Sequence, residues 1–134
     1  MRIHDVDDLA HKMIVFLETG DPPDGLFQPD VFCDFSLPRW RLQTCGLEDV
    51  VTLRKDGHPG PSTVTCSRVD PTPTGFVLAF EERWEDPAGQ WYARELIRAD
   101  LGDDGIADLA VYCTGDWDRE RQDEHARAVE LLRP

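Results

Sequence analysis

The spacing of apolar residues changes along the chain, and this change restricts the possible folds more than any other feature of the sequence. Between Val6 and Leu17, apolar residues recur three or four positions apart, as on the buried face of a helix. Further along, strand-like alternation predicts four strands joined by turns rich in Pro, Gly and Asp, at residues 62–69, 76–85, 90–100 and 106–114. The sequence therefore predicts helices followed by an antiparallel meander.

The segments outside the meander complete this pattern. Asp5 and Asp118 are candidate N-caps of the first and last helices, because a side-chain oxygen there can accept a hydrogen bond from a free backbone N–H group. Two short strands are predicted at 31–35 and 40–45, and a second helix begins at Gly46. The last helix is polar and is expected to carry an apolar tail of Val129, Leu131 and Leu132.

The chain has 134 residues, and this length indicates one domain spanning residues 1–134, with 116–134 as a C-terminal helical extension. Its 27 acidic and 14 basic residues give a formal net charge of −13. Such a charge repels phosphate groups and anionic lipid, so we expect neither nucleic acid nor a membrane surface as a partner. The sequence has no run of about 20 apolar residues and no signal-peptide pattern, so we expect a cytoplasmic protein.

The residue types that ordinarily bind metals or cofactors form no recognisable motif. The four cysteines are widely spaced, so we expect reduced, buried thiols and no metal site; they are Cys33, Cys45, Cys66 and Cys113. The sequence has no nucleophile elbow, phosphate loop or dinucleotide fingerprint, and we therefore expect no cofactor. The four histidines, among them His58 in a loop of Gly and Pro, are expected at the surface.

The predicted order of elements implies a curved sheet. In an α+β chain of this kind the N-terminal helices must cover one face of the sheet, which then bends into a half-open cone. The concave interior of such a cone is a typical place for a small-molecule site. Residues 76–80 are apolar on both faces of their strand, so the convex face also needs cover. We expect a second copy of the chain there, which makes the protein a homodimer.

Three short segments resemble a known superfamily. They are residues 26–31 (Leu-Phe-Gln-Pro-Asp-Val), residues 104–107 (Asp-Gly-Ile-Ala) leading into 111–113 (Val-Tyr-Cys), and the pair Trp117-Asp118. With the order of elements, they make residues 5–116 resemble the nuclear transport factor 2-like superfamily, in particular its SnoaL-like bacterial branch. The resemblance implies an α+β fold with a cone-shaped, curved antiparallel sheet covered by N-terminal helices, also called a cystatin-like α+β roll.

The same resemblance leaves three functions open, because members of the superfamily include enzymes as well as noncatalytic proteins. The first hypothesis is a binding protein for a small apolar or cyclic molecule inside the cone. The second is an isomerase, cyclase or hydratase that uses a pocket carboxylate as a general acid or base. The third is a noncatalytic dimerisation module whose cone is filled by side chains.

The hairpin between the second and third strands of the meander carries the candidate chemistry. Its turn, at residues 86–89, predicts a register that places Glu81 opposite Glu95. In that register Glu82 lies opposite Arg94, whereas a slip of one residue would place Glu82 opposite Glu95. In either register two carboxyl groups lie close together, and burial with mutual repulsion would raise the pKa of one of them. The alternative is a set of cross-strand ion pairs without a functional role.

We expect two groups of residues at the site. The candidate catalytic residues are Glu95 and Glu81, as acid or base, and Tyr112; either the Tyr112 hydroxyl or Arg83 can stabilise a developing oxyanion. The candidate ligand-binding residues supply flat aromatic walls and polar groups; they are Trp40, Glu82, Arg83, Trp84, Trp91 and Tyr112. The alternative for the aromatic residues is a place in the core or in the dimer interface.

Overall fold

The computed structural model describes the backbone of residues 3–133 and the side chains of residues 5–133. The helices and strands occur in the predicted order. They are α1 (Ile3–Thr19), β1 (Phe27–Ser36), β2 (Arg41–Cys45), α2 (Leu47–Gly57), β3 (Thr63–Pro71), β4 (Gly75–Asp86), β5 (Gly89–Gly102), β6 (Gly105–Cys113) and α3 (Arg119–Ala128). The largest difference in length is at β1, which begins four residues before the predicted Val31.

The six strands form one curved, unclosed sheet in the order β2-β1-β6-β5-β4-β3, which confirms the α+β cone. The antiparallel meander from β3 to β6 is also confirmed. One pair differs from the expected antiparallel arrangement, because β1 and β6 are parallel. The reason is that α2 carries the chain from the β2 edge to the opposite edge at β3. The meander then returns across the sheet, and its last strand reaches β1 running in the same direction.

The helices α1 and α2 pack on the concave face of the sheet. The apolar positions of α1 that follow helical spacing are buried, as at Val6, Met13 and Leu17. They share one core with inward-facing strand residues such as Phe76 and Ile97. Each large apolar side chain that is fully buried contributes roughly 1.5–3 kcal/mol, so this face holds α1 across the sheet. Within the described residues, no helix is both long enough and apolar enough to cross a membrane.

The segment after β6 is attached to the sheet in front of α3. Trp117 and Tyr92 exchange two backbone hydrogen bonds, of 2.7 and 3.0 Å. Asp118 caps α3 as predicted, since its Oδ1 atom accepts a hydrogen bond of 2.8 Å from the backbone N–H of Arg121. The helix ends at Ala128, so the apolar tail lies beyond it, and Leu132 there is 96% exposed.

The register of the β4–β5 hairpin differs from the predicted register by one residue. Asp86 lies opposite Gly89, and Glu95 lies opposite Phe80. The cause lies in the turn, where the Asp86 carboxylate accepts a hydrogen bond of 2.8 Å from the backbone N–H of Ala88. Gly89 has a positive φ of 134°, a conformation that favours glycine. The turn therefore contains two residues, and Gly89 begins β5 instead of belonging to the loop.

Candidate functional site

A cavity of about 450 Å³ lies between α1, α2 and the concave face of the sheet. Most of its wall is apolar, with contributions from Met13, Phe16, Phe35, Val50, Ile97 and Val111. A few polar side chains converge on the same space; they are Arg54, Asp56, His58, Glu95, Cys113 and Asp116. An apolar wall with a small number of convergent polar groups is typical of a small-molecule site.

A wider depression of about 850 Å³ lies between α1 and the turns that join β3 to β4 and β5 to β6. Its wall includes four carboxyl groups, those of Asp5, Asp8, Asp103 and Asp104. Among the described residues, however, the buried polar atoms without a hydrogen-bond partner all lie outside this depression. Two of them lie in the wall of the cavity under α2, which is therefore the candidate site.

A buried ion pair lies beside this cavity. Glu82 on β4 has no exposed surface, and the side chain of Arg54 on α2 is 9% exposed. Arg54 donates hydrogen bonds to both carboxylate oxygens of Glu82, from Nη2 to Oε1 and from Nη1 to Oε2 at 3.3 Å. Its Nη2 atom also donates to the backbone carbonyl of Leu17 at 2.5 Å, and the hydroxyl of Ser62 lies 2.9 Å from Oε1 of Glu82. These contacts connect α1, α2 and β4.

Glu95 lies next to this pair on the same face of the sheet. The observed register places Glu82 opposite Ala93, and side chains two residues apart on a strand share a face. Burial, a hydrogen bond to Glu82 and the charge of Glu82 raise the pKa of Glu95 well above its ordinary value. Burial also acts to raise the pKa of Glu82, but the hydrogen bond from Glu95 and the charge of Arg54 outweigh it and lower that pKa. Glu95 therefore holds the proton of the pair.

Two polar atoms in the cavity wall, Oε2 of Glu95 and Nδ1 of His58, are buried without a hydrogen-bond partner among the described residues. Glu95 is 4% exposed. His58 packs edge-on against Trp84, with ring centroids 4.6 Å apart. Burial and the nearby charge of Arg54 lower the pKa of His58 to about 4, so its ring is uncharged at neutral pH. Because Glu95 donates its proton in a hydrogen bond to Glu82, its Oε2 atom can accept a hydrogen bond from a ligand, whereas a neutral imidazole can donate or accept one.

Sequence reasoning missed two residues of this arrangement. The expectation that His58 lies at the surface is wrong, because the loop after α2 folds back and places its ring against Trp84. Nothing in the local sequence indicates this contact. Arg54 is different, since it lies four residues after the buried Val50 and therefore on the same face of α2. A charged residue on the buried face of a helix is a signal for a buried partner.

The charged candidates of the β4–β5 hairpin divide between the two faces of the sheet. Glu82 and Glu95 face the concave side, whereas Glu81 and Arg83 face the convex side. On that convex side Glu81 accepts a hydrogen bond of 2.7 Å from the hydroxyl of Tyr92. The guanidinium of Arg83 lies 4.7 Å from the centre of the Tyr92 ring. The structure thus brings together the pair that the predicted register had separated.

The four aromatic candidates lie outside the cavity wall. Tyr112 is 56% exposed on the convex face, because strand alternation turns its two neighbours toward the cavity. Trp40 is 69% exposed between β1 and β2. Trp84 and Trp91 form a cross-strand pair near the end of the hairpin, with ring centroids 6.5 Å apart and planes at 10°. Of the four, Trp84 comes nearest to the cavity, through its contact with His58.

All four cysteines are free thiols. Cys33 and Cys113 line the cavity, and burial raises the pKa of Cys33 to about 11 and that of Cys113 to about 12. Cys45 and Cys66 are exposed on the two edge strands, so the expectation of four buried thiols is wrong for them. In the part of the chain that the structure describes, no three side chains of His, Cys, Asp or Glu form a group that could hold a metal ion.

Solved structures with the same architecture come from several sources. A nuclear transport factor 2-like protein from Anabaena variabilis ATCC 29413 aligns with a TM-score of 0.67 and 17% identity over 87% of this chain and 95% of its own. The protein Bal32a from a soil-derived mobile gene cassette has a TM-score of 0.64 and 13% identity, over 90% and 95% of the two chains. A Xanthomonas campestris protein of unknown function with a cystatin-like fold has a TM-score of 0.59 and 14% identity, over 88% and 95%. No protein-family model and no curated protein matches the chain.

Proposed function

The chain has the nuclear transport factor 2-like fold, and we propose that it is a binding protein for a small, partly apolar cyclic molecule held in the cavity beneath α2. One observation carries this proposal: the Oε2 atom of Glu95 is buried in an apolar cavity wall without a hydrogen-bond partner among the described residues. A buried polar group in this state costs about 1–3 kcal/mol. A ligand that forms a hydrogen bond with Glu95 would recover part of this cost, and its apolar part would fill the cavity.

The size of the cavity supports binding over a purely structural role. Its volume of about 450 Å³ falls inside the range of roughly 300–1,000 Å³ that is common for small-molecule sites. In a dimerisation module without a ligand, we would expect side chains to fill the cone, because interiors are normally packed without voids of this size. The third hypothesis from the sequence is therefore the weakest.

A fragment screen in which binding is detected through the NMR signals of the protein tests this proposal. We expect neutral cyclic fragments to shift signals of cavity residues such as Ile97 and Val111. The Glu95→Leu variant should bind the same fragments about tenfold more weakly, because it lacks the hydrogen-bonding group. Tyr112→Phe is the matched control, since it removes a hydroxyl from the opposite face and should leave the affinities unchanged. A screen without any fragment in the cavity would contradict the proposal, as would equal losses in both variants.

A second function, an isomerase, cyclase or hydratase, is favoured by the arrangement of the two carboxyl groups. Glu95 holds a proton beside an apolar space, while Glu82 stays ionised next to Arg54. A shielded carboxyl group of this kind can act as a general acid and, after losing its proton, as a general base. The other two catalytic candidates, Glu81 and Tyr112, face away from the cavity and have no part in this proposal. Turnover of a bound fragment that Glu95→Gln abolishes would favour the enzyme over the binding protein.

We also propose that the protein is a homodimer through the convex face of the sheet. Leu96 and Tyr112 lie there next to each other and are 42% and 56% exposed. Three ion pairs surround them: Arg41–Asp34, Arg94–Glu81 and Arg98–Asp100. Each pair joins one positive and one negative side chain, so the three pairs add no net charge to this face, although the chain as a whole has a net charge of −13. Two copies that repel each other elsewhere can therefore meet at this face, which makes a second copy the expected occupant.

Light scattering should accordingly give twice the mass of one chain. The Leu96→Glu variant places an unpaired charge in the centre of the convex face and should shift the protein toward the monomer. Leu132→Glu is the control, because Leu132 is 96% exposed and lies beyond α3. A monomeric wild-type protein would overturn the proposed dimer, and a Leu96→Glu variant that stays dimeric would overturn the convex face as its interface.

We further propose that the protein belongs to the SnoaL-like bacterial branch, is cytoplasmic and forms a single domain. Membership in the SnoaL-like bacterial branch rests on the sequence resemblance of residues 5–116. A cytoplasmic location and a single domain over residues 1–134 rest on the composition and length of the sequence.

A further inference from the structure

Among the described residues, Arg54 is the one cationic side chain in the cavity wall, and it is already paired with a carboxylate. The guanidinium of Arg54 already donates to both oxygens of Glu82 and to the carbonyl of Leu17. Asp56 and Asp116 also line the cavity, and their carboxyl groups oppose the entry of an anion. A cation would be attracted by the same two carboxyl groups, but an ion pair with exposed side chains contributes less than the cost of losing its water against an apolar wall. Both kinds of ion are therefore disfavoured.

The two buried atoms in the wall that lack a hydrogen-bond partner among the described residues belong to uncharged groups. Oε2 of Glu95 belongs to a carboxyl group on β5 that holds a proton, and Nδ1 of His58 belongs to an uncharged ring in the loop after α2. Because Glu95 donates its proton in a hydrogen bond to Glu82, Oε2 can accept a hydrogen bond from a hydroxyl or an amide N–H, whereas Nδ1 of His58 can pair with a hydroxyl, carbonyl or amide group. Because they come from different elements, they can hold a ligand at two separate points.

From this geometry we propose that the cavity selects uncharged molecules over their anionic and cationic counterparts, with Glu95 and His58 as the two hydrogen-bonding positions. The inference rests on the proposed binding function and narrows the class of ligand. Neutral alcohols and amides on a cyclic skeleton fit it, because both can donate to Oε2 of Glu95. Carboxylic acids and amines, which are ionised at neutral pH, do not.

Three probes that share one bicyclic skeleton test the charge preference: 2-naphthylmethanol, 2-naphthoate and 2-naphthylmethylammonium. Titrations followed by NMR at neutral pH should show the alcohol binding at least about tenfold more tightly than either ion, because an ion must lose its hydration to enter. Tighter binding of the carboxylate or of the ammonium compound would overturn the inference and leave the binding function intact. If none of the three bound in the cavity, the proposed binding function would fail together with the inference.

A fourth probe, 2-methylnaphthalene, tests the two hydrogen-bonding positions. In the wild-type protein the alcohol should bind about fivefold more tightly than this hydrocarbon. The double variant Glu95→Leu/His58→Phe should lose that advantage, because both hydrogen-bonding groups are gone. His125→Phe is the matched control: His125 packs on Trp117 from α3 and is not part of the cavity wall. An alcohol advantage that persists in the double variant would show that Glu95 and His58 do not hold the ligand.

Discussion

The Arg54→Met variant should be less stable than the wild-type protein by about 3–5 kcal/mol at neutral pH. The reason is that Glu82 has no exposed surface and would remain as a buried charge without its partner. Methionine keeps most of the apolar stem of the arginine, so the change removes mainly the charge and its hydrogen bonds. The free energy of unfolding from urea denaturation measures this effect.

A second substitution distinguishes the effect of the buried charge on stability from the effect of lost packing. In the double variant Arg54→Met/Glu82→Gln the buried anion is gone, and the amide oxygen can still accept from Ser62 and Glu95. We expect this variant to regain at least about half of the lost stability. Arg94→Met is the control for an exposed pair, since Arg94 lies 4.0 Å from Glu81 and its side chain is 72% exposed. Arg94→Met should lower the free energy of unfolding by no more than about 1 kcal/mol. An equally small decrease for Arg54→Met would contradict the prediction.

The fold was predictable from the sequence because local signals and the global pattern agree. The helical spacing of α1, the cap at Asp118 and the positions of the turns in the meander appear in the structure as expected, although the β4–β5 turn is one residue shorter than predicted. The parallel pairing of β1 with β6 was not predictable in this way. It depends on which edge of the sheet the chain reaches after α2, and no local feature of the sequence specifies that edge.

The candidate site was predictable only in part, and one turn accounts for much of the difference. Glu95 was identified as a candidate acid from the sequence, but its partner depends on the register of the hairpin. A shift of the register by one residue changes every pair of facing residues. Because Asp86 accepts a hydrogen bond within the turn, Gly89 joins the strand and Glu82 becomes the neighbour of Glu95 on the concave face. From residue types alone, a two-residue turn with such a side-chain contact is hard to distinguish from a three-residue loop.

The same ion pair serves both the stability of the fold and the chemistry of the cavity. Arg54 holds α2 to β4 and to the end of α1, so it fixes the helix that covers the cavity. By keeping Glu82 ionised, it also leaves the proton of the carboxyl pair on Glu95. The neutral state of Glu95 in the cavity wall is thus a consequence of the charge on Glu82, which Arg54 compensates.

Because Glu95 is protonated and Glu82 is ionised in the folded protein, the free energy of unfolding should change with pH. In the unfolded chain Glu95 ionises near the ordinary pKa of a glutamate, about 4.5, whereas in the folded protein its pKa is raised well above that value. A raised pKa contributes stability that is fully present below about 4.5 and is lost as the pH rises through the folded value. We therefore expect Glu95→Gln, which cannot ionise but can still donate to Glu82, to become increasingly more stable than wild type above about pH 5. The difference should grow by about 1.4 kcal/mol per pH unit until the folded pKa is reached.

Urea denaturation of both proteins between about pH 5 and pH 8 measures this difference. His58, whose pKa is lowered to about 4, acts in the other direction: its contribution is present above 6.5 and is lost as the pH falls toward 4. Because His58 is present in both proteins, its effect cancels in the comparison. Glu81→Gln on the opposite face is the control for the loss of one acidic group from a chain with a net charge of −13. A difference for Glu95→Gln that stays constant with pH, or matches that control, would mean that Glu95 is ionised in the folded protein.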